Sequence, residues 1–250
     1  MNAKNNIMSK VVFQLDGTIQ VFTLGKSSNG KIVGDNRKIV QSYTYSVDQY
    51  NYVKTCVENN EKVKFKTFFS LDAKNCFDCP FSINGGNGGC YTHKIVQYFG
   101  FVSSLKHVVR LYPTLASVPT FSNESVLELV KMAQNRYVRF GSYGEPSMHP
   151  IELVEQMTNV AKNWTGYTHQ YFRKNEFAKF FMASVHNEKQ AQTARNKFGF
   201  RSFIATETLD IEGVSCPASK ESGYKSTCAN CGLCSGMNGK GNKDVKILVH

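Results

Sequence analysis

The chain has 250 residues, of which 41% are hydrophobic, so it can bury a substantial core as one domain or as a domain with a small appendage. Thirty lysines and arginines against nineteen acidic residues give a formal charge of +11, the electrostatic footprint of a phosphate-binding surface, although the basic residues are spread along the chain rather than gathered in a run. No segment approaches the roughly 18 consecutive apolar residues a membrane span needs, and "MNAKNNIMSK" carries no signal-peptide apolar run, so no membrane partner is expected and a cytoplasmic, reducing compartment is.

In chain order, "KVVFQLDGTIQVFTLG" holds two β-rich runs on either side of Asp16-Gly17, the strongest short hairpin signal. Residues 1–62 are therefore expected to form a small antiparallel β element followed by a helix in "VDQYNYVKTCVENN", on which Cys56 reads as a small apolar residue. "VKFKTFFSL" (63–71) reads as a strand running into a first cysteine loop, and "KIVQYFGFVSSLKHVVRLY" and "SNESVLELVKMAQNR" read as helices, the second capped by Ser122 or Asn123. "YVRFGSYG", "WTGYTHQ", "KFFMASV" and "FRSFIATE" read as strands. Between them lie the helices "HPIELVEQMTNVAKN", with Pro150 near its start, and "NEKQAQTARNKFG", ending at Gly199. Such alternation implies parallel pairing through crossovers. The expected fold class is α/β: a partial or open parallel β/α barrel of about five or six βα units over 63–210, followed by a cysteine-rich metal-binding segment and tail over 211–250. The tail from Gly236 onward is expected to matter little, with "DVKILV" adding at most an edge strand.

Seven of the eight cysteines form two groups. "SCPASKESGYKSTCANCGLCSG" contains Cys216, Cys228, Cys231 and Cys234; thiolates at i, i+3 and i+6 suit three corners of an iron-sulfur cubane, with Cys216 as a remote fourth ligand. Zinc, which accepts four cysteines tetrahedrally, is the alternative. "NCFDCPFSINGGNGGCYTHK" contains Cys76, Cys79 and Cys90: either three ligands of a cluster with one open position, or, with His93, a Cys-x2-Cys-x10-Cys-x2-His zinc site. The glycine run from Gly85 to Gly89 would let the backbone pass close to a bound group. In parallel α/β folds chemistry gathers at the C-terminal strand ends, where this reading puts the first cysteine loop, "GSYGEPSMHP", His169, His186 and the terminal cysteine segment. Glu145, His169 and His186 are the candidate acid-base or ligating residues.

These cysteines, followed by "RFGSYGEPSMHP" after a later strand, resemble the radical S-adenosylmethionine superfamily, whose partial β/α barrel carries a cluster-binding cysteine loop and a Gly-Gly-Glu-Pro motif that receives the cofactor's amino group. The resemblance implies cofactor binding by Gly144, Glu145 and Pro146, with Tyr143 in place of the first glycine; the cysteine spacing also departs from the superfamily's Cys-x3-Cys-x2-Cys. Over roughly residues 63–235 the chain is also similar to a family of bacteriophage proteins in "CxxCP…GCY", "RxGSYG[DE]P" and "CPAS…TCxxCGLC", a likeness that implies a host-cell cytoplasmic location and no particular reaction. The first expectation is thus an iron-sulfur metalloprotein similar to radical S-adenosylmethionine enzymes. The alternative is a zinc-stabilised, basic nucleic-acid-binding protein without catalysis, stacking bases on aromatics such as Tyr91, Tyr98, Phe99, Phe101 and Trp164.

Overall fold

The computed structural model describes residues 8–27, 29–35, 37–77, 79, 82, 90 and 93–248. It begins with the hairpin the Asp-Gly pair foretells: β1 (Lys10–Leu15) and β2 (Thr18–Lys26) pair antiparallel across Asp16 and Gly17, whose φ values of 48° and 73° are the positive pair that a two-residue turn of this hand demands. β3 (Lys38–Ser46) continues the antiparallel ladder on one side and pairs parallel with β4 (Tyr137–Tyr143) on the other. β5 (Asn163–Thr165) then joins β4 in parallel, which completes a sheet of order β1-β2-β3-β4-β5. The N-terminal hairpin is thus built into the main sheet.

A second sheet is parallel throughout, in the order β6 (Tyr167–Thr168), β7 (Met182–Val185), β8 (Ser202–Thr206), β10 (Val245–Leu248), β9 (Val214–Ser215). The two sheets meet where β5 passes into β6 through Gly166, and only glycine fits there: a Cβ would lie 2.3 Å from the Phe181 ring. The class is mixed α/β with two parallel-rich sheets.

Helices cover the outside. α1 (Val47–Glu58) opens on a capping box between Ser46 and Gln49. With α4 (Ile95–Leu111) it packs over Val12, Ile19, Val21 and Tyr143. α5 (Asn123–Ala133), capped by Ser122, α6 (Ile151–Val160) and α7 (Glu188–Phe198), closed by Gly199 at φ 74°, bury Leu129, Met157 and Ala194 against Val138, Phe140 and Val185.

Two expectations are corrected. "VKFKTFFSL" is not a strand; Phe65–Ser70 is helix α2, because Phe65, Phe68 and Phe69 fall at i, i+3 and i+4 and turn one aromatic face inward, with Phe68 and Phe69 fully buried. The short helix α3 (Ala73–Cys76) follows, so β3 takes the place expected of the first parallel strand. Nor is the tail peripheral. β10 lies between β8 and β9, Val245 is buried, and Asp244 Oδ1 accepts from Ser202 N at 2.7 Å while its other oxygen pairs with Arg195. Arg201, just before β8, donates to the carbonyls of Leu233, Gly236 and Lys243, tying the same segment down.

Candidate functional site

Alternation along the parallel strands sorts their side chains onto two faces. Val138, Phe140, Ala183, Val185 and Ile204 enter the core, while Tyr137, Arg139 and Gly141 of β4, together with Thr165, Tyr167 and His169 across Gly166, face the other way and line a cavity of about 440 Å³. Ser184 and His186 from β7, Phe203 and Ala205 from β8, and Val245 and Ile247 from β10 continue that wall. All seven cysteines of the two groups line this one cavity. The eighth, Cys56, is buried among the apolar residues of α1, as its surroundings in the sequence suggest. Among the described residues, no disulfide joins any of the eight.

The first group is stitched to the Gly-Glu-Pro turn. Asn75 O accepts from Glu145 N at 2.8 Å and Asn75 Nδ2 donates to Thr44 O at 2.9 Å, which brings the Cys76 turn against the C-terminal end of β4. Gly144, at φ 80°, sits so close that a Cβ would meet Thr44 O at 2.9 Å and Asn75 O at 3.3 Å. Glu145 caps the 3-10 helix Pro146–Met148: Oε1 accepts from Ser147 N at 3.1 Å and Ser147 Oγ at 2.8 Å, and Oε2 accepts from His169 N at 3.1 Å. Burial raises the Glu145 pKa while these donors pull the other way. Both oxygens are thus already engaged, and the residue acts as a junction between the cysteine turn and the His169 strand end.

His93 is not among the residues facing the cavity. Its Nε2 lies 3.4 Å from Asp72 Oδ2 and its ring lies over Phe69 at 4.1 Å, with both the His93 and Asp72 side chains buried. The Cys76 thiol donates to the same Asp72 oxygen at 3.6 Å. On the cavity side, His169 Nε2 stands 4.0 Å from Cys79 Sγ and its ring stacks beside His186 at 5.9 Å. Burial, and then His169, lower the His186 pKa.

The terminal group enters from the opposite wall. Helix α8 (Cys228–Cys231) ends on Gly232 at φ 73°, and its start is bound to another part of the chain, with Cys228 N donating to Lys31 O at 3.0 Å and Ala229 N to Ile32 O at 2.9 Å. Cys216 N donates to Lys246 O at 2.8 Å, and Ser235 Oγ donates to Gly232 O at 2.6 Å. Burial raises the thiol pKa of Cys216, Cys228 and Cys234, and neighbouring cysteines raise each further; Arg139 and Lys31 act in the opposite sense on Cys228, and a hydrogen bond from Tyr167 does so on Cys234. In the first group Cys76 is pushed well up by burial, then by Asp72, Cys90 and Cys79. Buried sulfurs that resist ionising side by side are the donor set a bound cation relieves, so both groups fit a metal centre chemically. Among the described residues, no three or more His, Cys, Asp or Glu side chains are drawn in tightly enough to hold a single metal ion.

No protein-family model, curated protein or solved structure matches the chain. The reading of the site therefore rests on its own geometry. Arg139, Lys31 and Tyr167 were missed in the sequence; the signal for Arg139 is a charged residue at an alternate position of the otherwise core-forming strand "YVRFGSY". The glycine run 85–89 and Tyr91 lie outside the described residues. Of the other aromatics considered as base-stacking surfaces, Tyr98 and Phe101 are buried in the core, and Trp164 is half-buried with its Nε1 donating to Phe180 O, which leaves Phe99 exposed. Among the described residues no helix is long and apolar enough to cross a membrane.

Proposed function

We propose that the protein is a two-centre iron-sulfur enzyme, similar to radical S-adenosylmethionine enzymes, whose two sheets roll about residues 163–168 as a partial barrel with the reaction chamber inside. The observation that carries this reading is the convergence of all seven grouped cysteines on one cavity with Gly144, Glu145 and His169. Cys76, Cys79 and Cys90 would hold the centre beside the Gly-Glu-Pro turn; Cys216, Cys228, Cys231 and Cys234 would hold the second. When bound, such clusters supply single electrons to the chamber. The chain's own part is to orient and to shield. Glu145 locks the cysteine turn to the His169 strand end, Phe203 and Ile247 line the chamber with apolar surface, and Arg139 and Lys31 lend positive charge to the terminal thiols. The chamber is of a size for a small molecule.

Anaerobic purification with metal and sulfide analysis tests the proposal. Brown protein containing iron and acid-labile sulfide in equal amounts is expected. Colourless protein with stoichiometric zinc and no iron would overturn it in favour of a zinc-stabilised binding protein whose basic surface meets nucleic acid, and protein without metal would overturn both.

A further inference from the structure

We infer that His169 supplies the fourth ligand of the Cys76, Cys79 and Cys90 centre, in the place the sequence spacing offers to His93. The inference rests on the reading that these three thiols hold metal, and goes beyond it by naming the remaining donor. Three observations converge. First, His169 Nε2 is 4.0 Å from Cys79 Sγ, and both line the cavity. Two donors on one tetrahedral ion, a sulfur about 2.3 Å and a nitrogen about 2.0 Å from it, stand roughly 3.6 Å apart, and donors on neighbouring irons of a cluster stand further apart. A small side-chain rotation therefore spans either case. Second, the position of His169 is imposed from behind: it follows β6 at the strand's C-terminal end, and its backbone N is held by Glu145 Oε2 at 3.1 Å, while Glu145 N holds the Cys76 turn through Asn75 O. One residue thus sets the spacing between the histidine and the cysteine arm, in the way supporting hydrogen bonds orient metal ligands. Third, the competing imidazole is not among the residues that line the cavity: His93 packs on Phe69 and turns its Nε2 to Asp72. His186 stands beside His169, at 5.9 Å between ring centres. Ligation by His169 requires Nε2 in its unprotonated form. A cofactor arriving at this centre would have to displace it.

Residue-resolved protection in the full-length chain tests the assignment. The reduced, metal-free protein is compared with samples loaded anaerobically with ferrous iron plus sulfide, or with zinc(II) alone; cysteines are alkylated with iodoacetamide, histidines are carbethoxylated, and each site is read by mass spectrometry. The expected result is that metal protects His169 together with Cys76, Cys79 and Cys90, while His93 reacts as it does without metal. His169→Ala should then require about tenfold more metal to protect the same three cysteines. The terminal cysteines should be protected as before, which reports that the variant is folded, and His169→Cys should restore protection of the first group. Protection of the three cysteines without His169, or a shift caused by His93→Gln and not by His169→Ala, would overturn the inference and leave the metal reading standing. Absence of protection at the three cysteines in both loaded samples would overturn both.

Discussion

Replacing Gly144 with alanine tests whether the cysteine turn is held against the sheet as closely as described. Two effects add. A side chain at φ 80° incurs the left-handed penalty, about 1–2 kcal/mol, and the new methyl would stand 2.8 Å from Thr44 Cβ and 2.9 Å from Thr44 O, an overpacking that costs roughly 1–3 kcal/mol because one neighbour is backbone and cannot rotate away. The sum, about 2–5 kcal/mol, corresponds in a chain of this size to a Tm lowered by roughly 5–15 °C. Gly199→Ala supplies the control: Gly199 has a φ of 74° but nothing within 4 Å of its Cβ direction, so it should show the conformational penalty alone. Calorimetric or circular-dichroism melting of the two variants beside the parent chain measures the difference. If Gly144→Ala melts within about 2 °C of Gly199→Ala, the close approach of Thr44 and Asn75 to this turn is refuted, and with it the account of how the first cysteine group is positioned.

Three further outcomes follow from the same geometry. Asp244→Ala should destabilise by about 1–3 kcal/mol by leaving the buried Ser202 N without its acceptor, whereas Asp244→Asn, which keeps that acceptor and loses mainly the contact with a half-exposed Arg195, should cost less than about 1 kcal/mol; urea melts distinguish them. Burial holds the His149 pKa at about 3, so below an unfolded value of about 6.5 the unfolded chain takes up a proton that the native one refuses; stability should fall as pH drops from about 6.5 to 3, by up to about 5 kcal/mol. The raised pKa of Glu145 works in the opposite sense, so the informative comparison is with His149→Gln, whose pH-stability curve should be flatter over that window; an unchanged curve would contradict the burial argument. Cys231→Ser should lower the metal content of the terminal group and the melting temperature together, since a structural metal contributes folding free energy on the order of 10 kcal/mol in small domains; identical metal content and melting would remove that group from the proposal.

What could be read from the sequence was local. The Asp16-Gly17 turn, the Ser122 cap and the Gly199 stop each carry their structure in the chemistry of one or two residues, and each falls where expected. The strand ends bearing Glu145, His169 and His186 were legible for the same reason, and with them the common location of both cysteine groups. The failures have two sources. Residues 63–71 satisfy both periods at once, because Val63, Phe65 and Thr67 alternate with lysines while Phe65, Phe68 and Phe69 fall on one helical face, and tertiary burial of the phenylalanines decides between them. The place of β10 inside the sheet depends on pairing with β8, some forty residues away in the chain, and with β9; no short-range signal encodes it. The sequence leaves open whether His93 serves as a ligand, and its turning toward Asp72 is a long-range outcome that the cysteine-histidine spacing does not encode.

The position of β10 also has a consequence for how the second sheet holds together. β9 and β10 pair in parallel, and parallel neighbours are normally joined by a crossover helix whose apolar side fastens the connection to the sheet. Here residues 216–244 make that crossing with only the four-residue helix Cys228–Cys231 and four thiols. β8 and β9 precede in the chain the strand that pairs with both, so without β10 each presents unpaired backbone on that side, while the thiol-bearing loop is held independently by Lys31 and Ile32 through Cys228 and Ala229. β10 is therefore the keystone of the second sheet: among the described residues it alone joins β9 to β8, and with β9 it fixes the end of the loop at Cys216, whose N donates to Lys246 O.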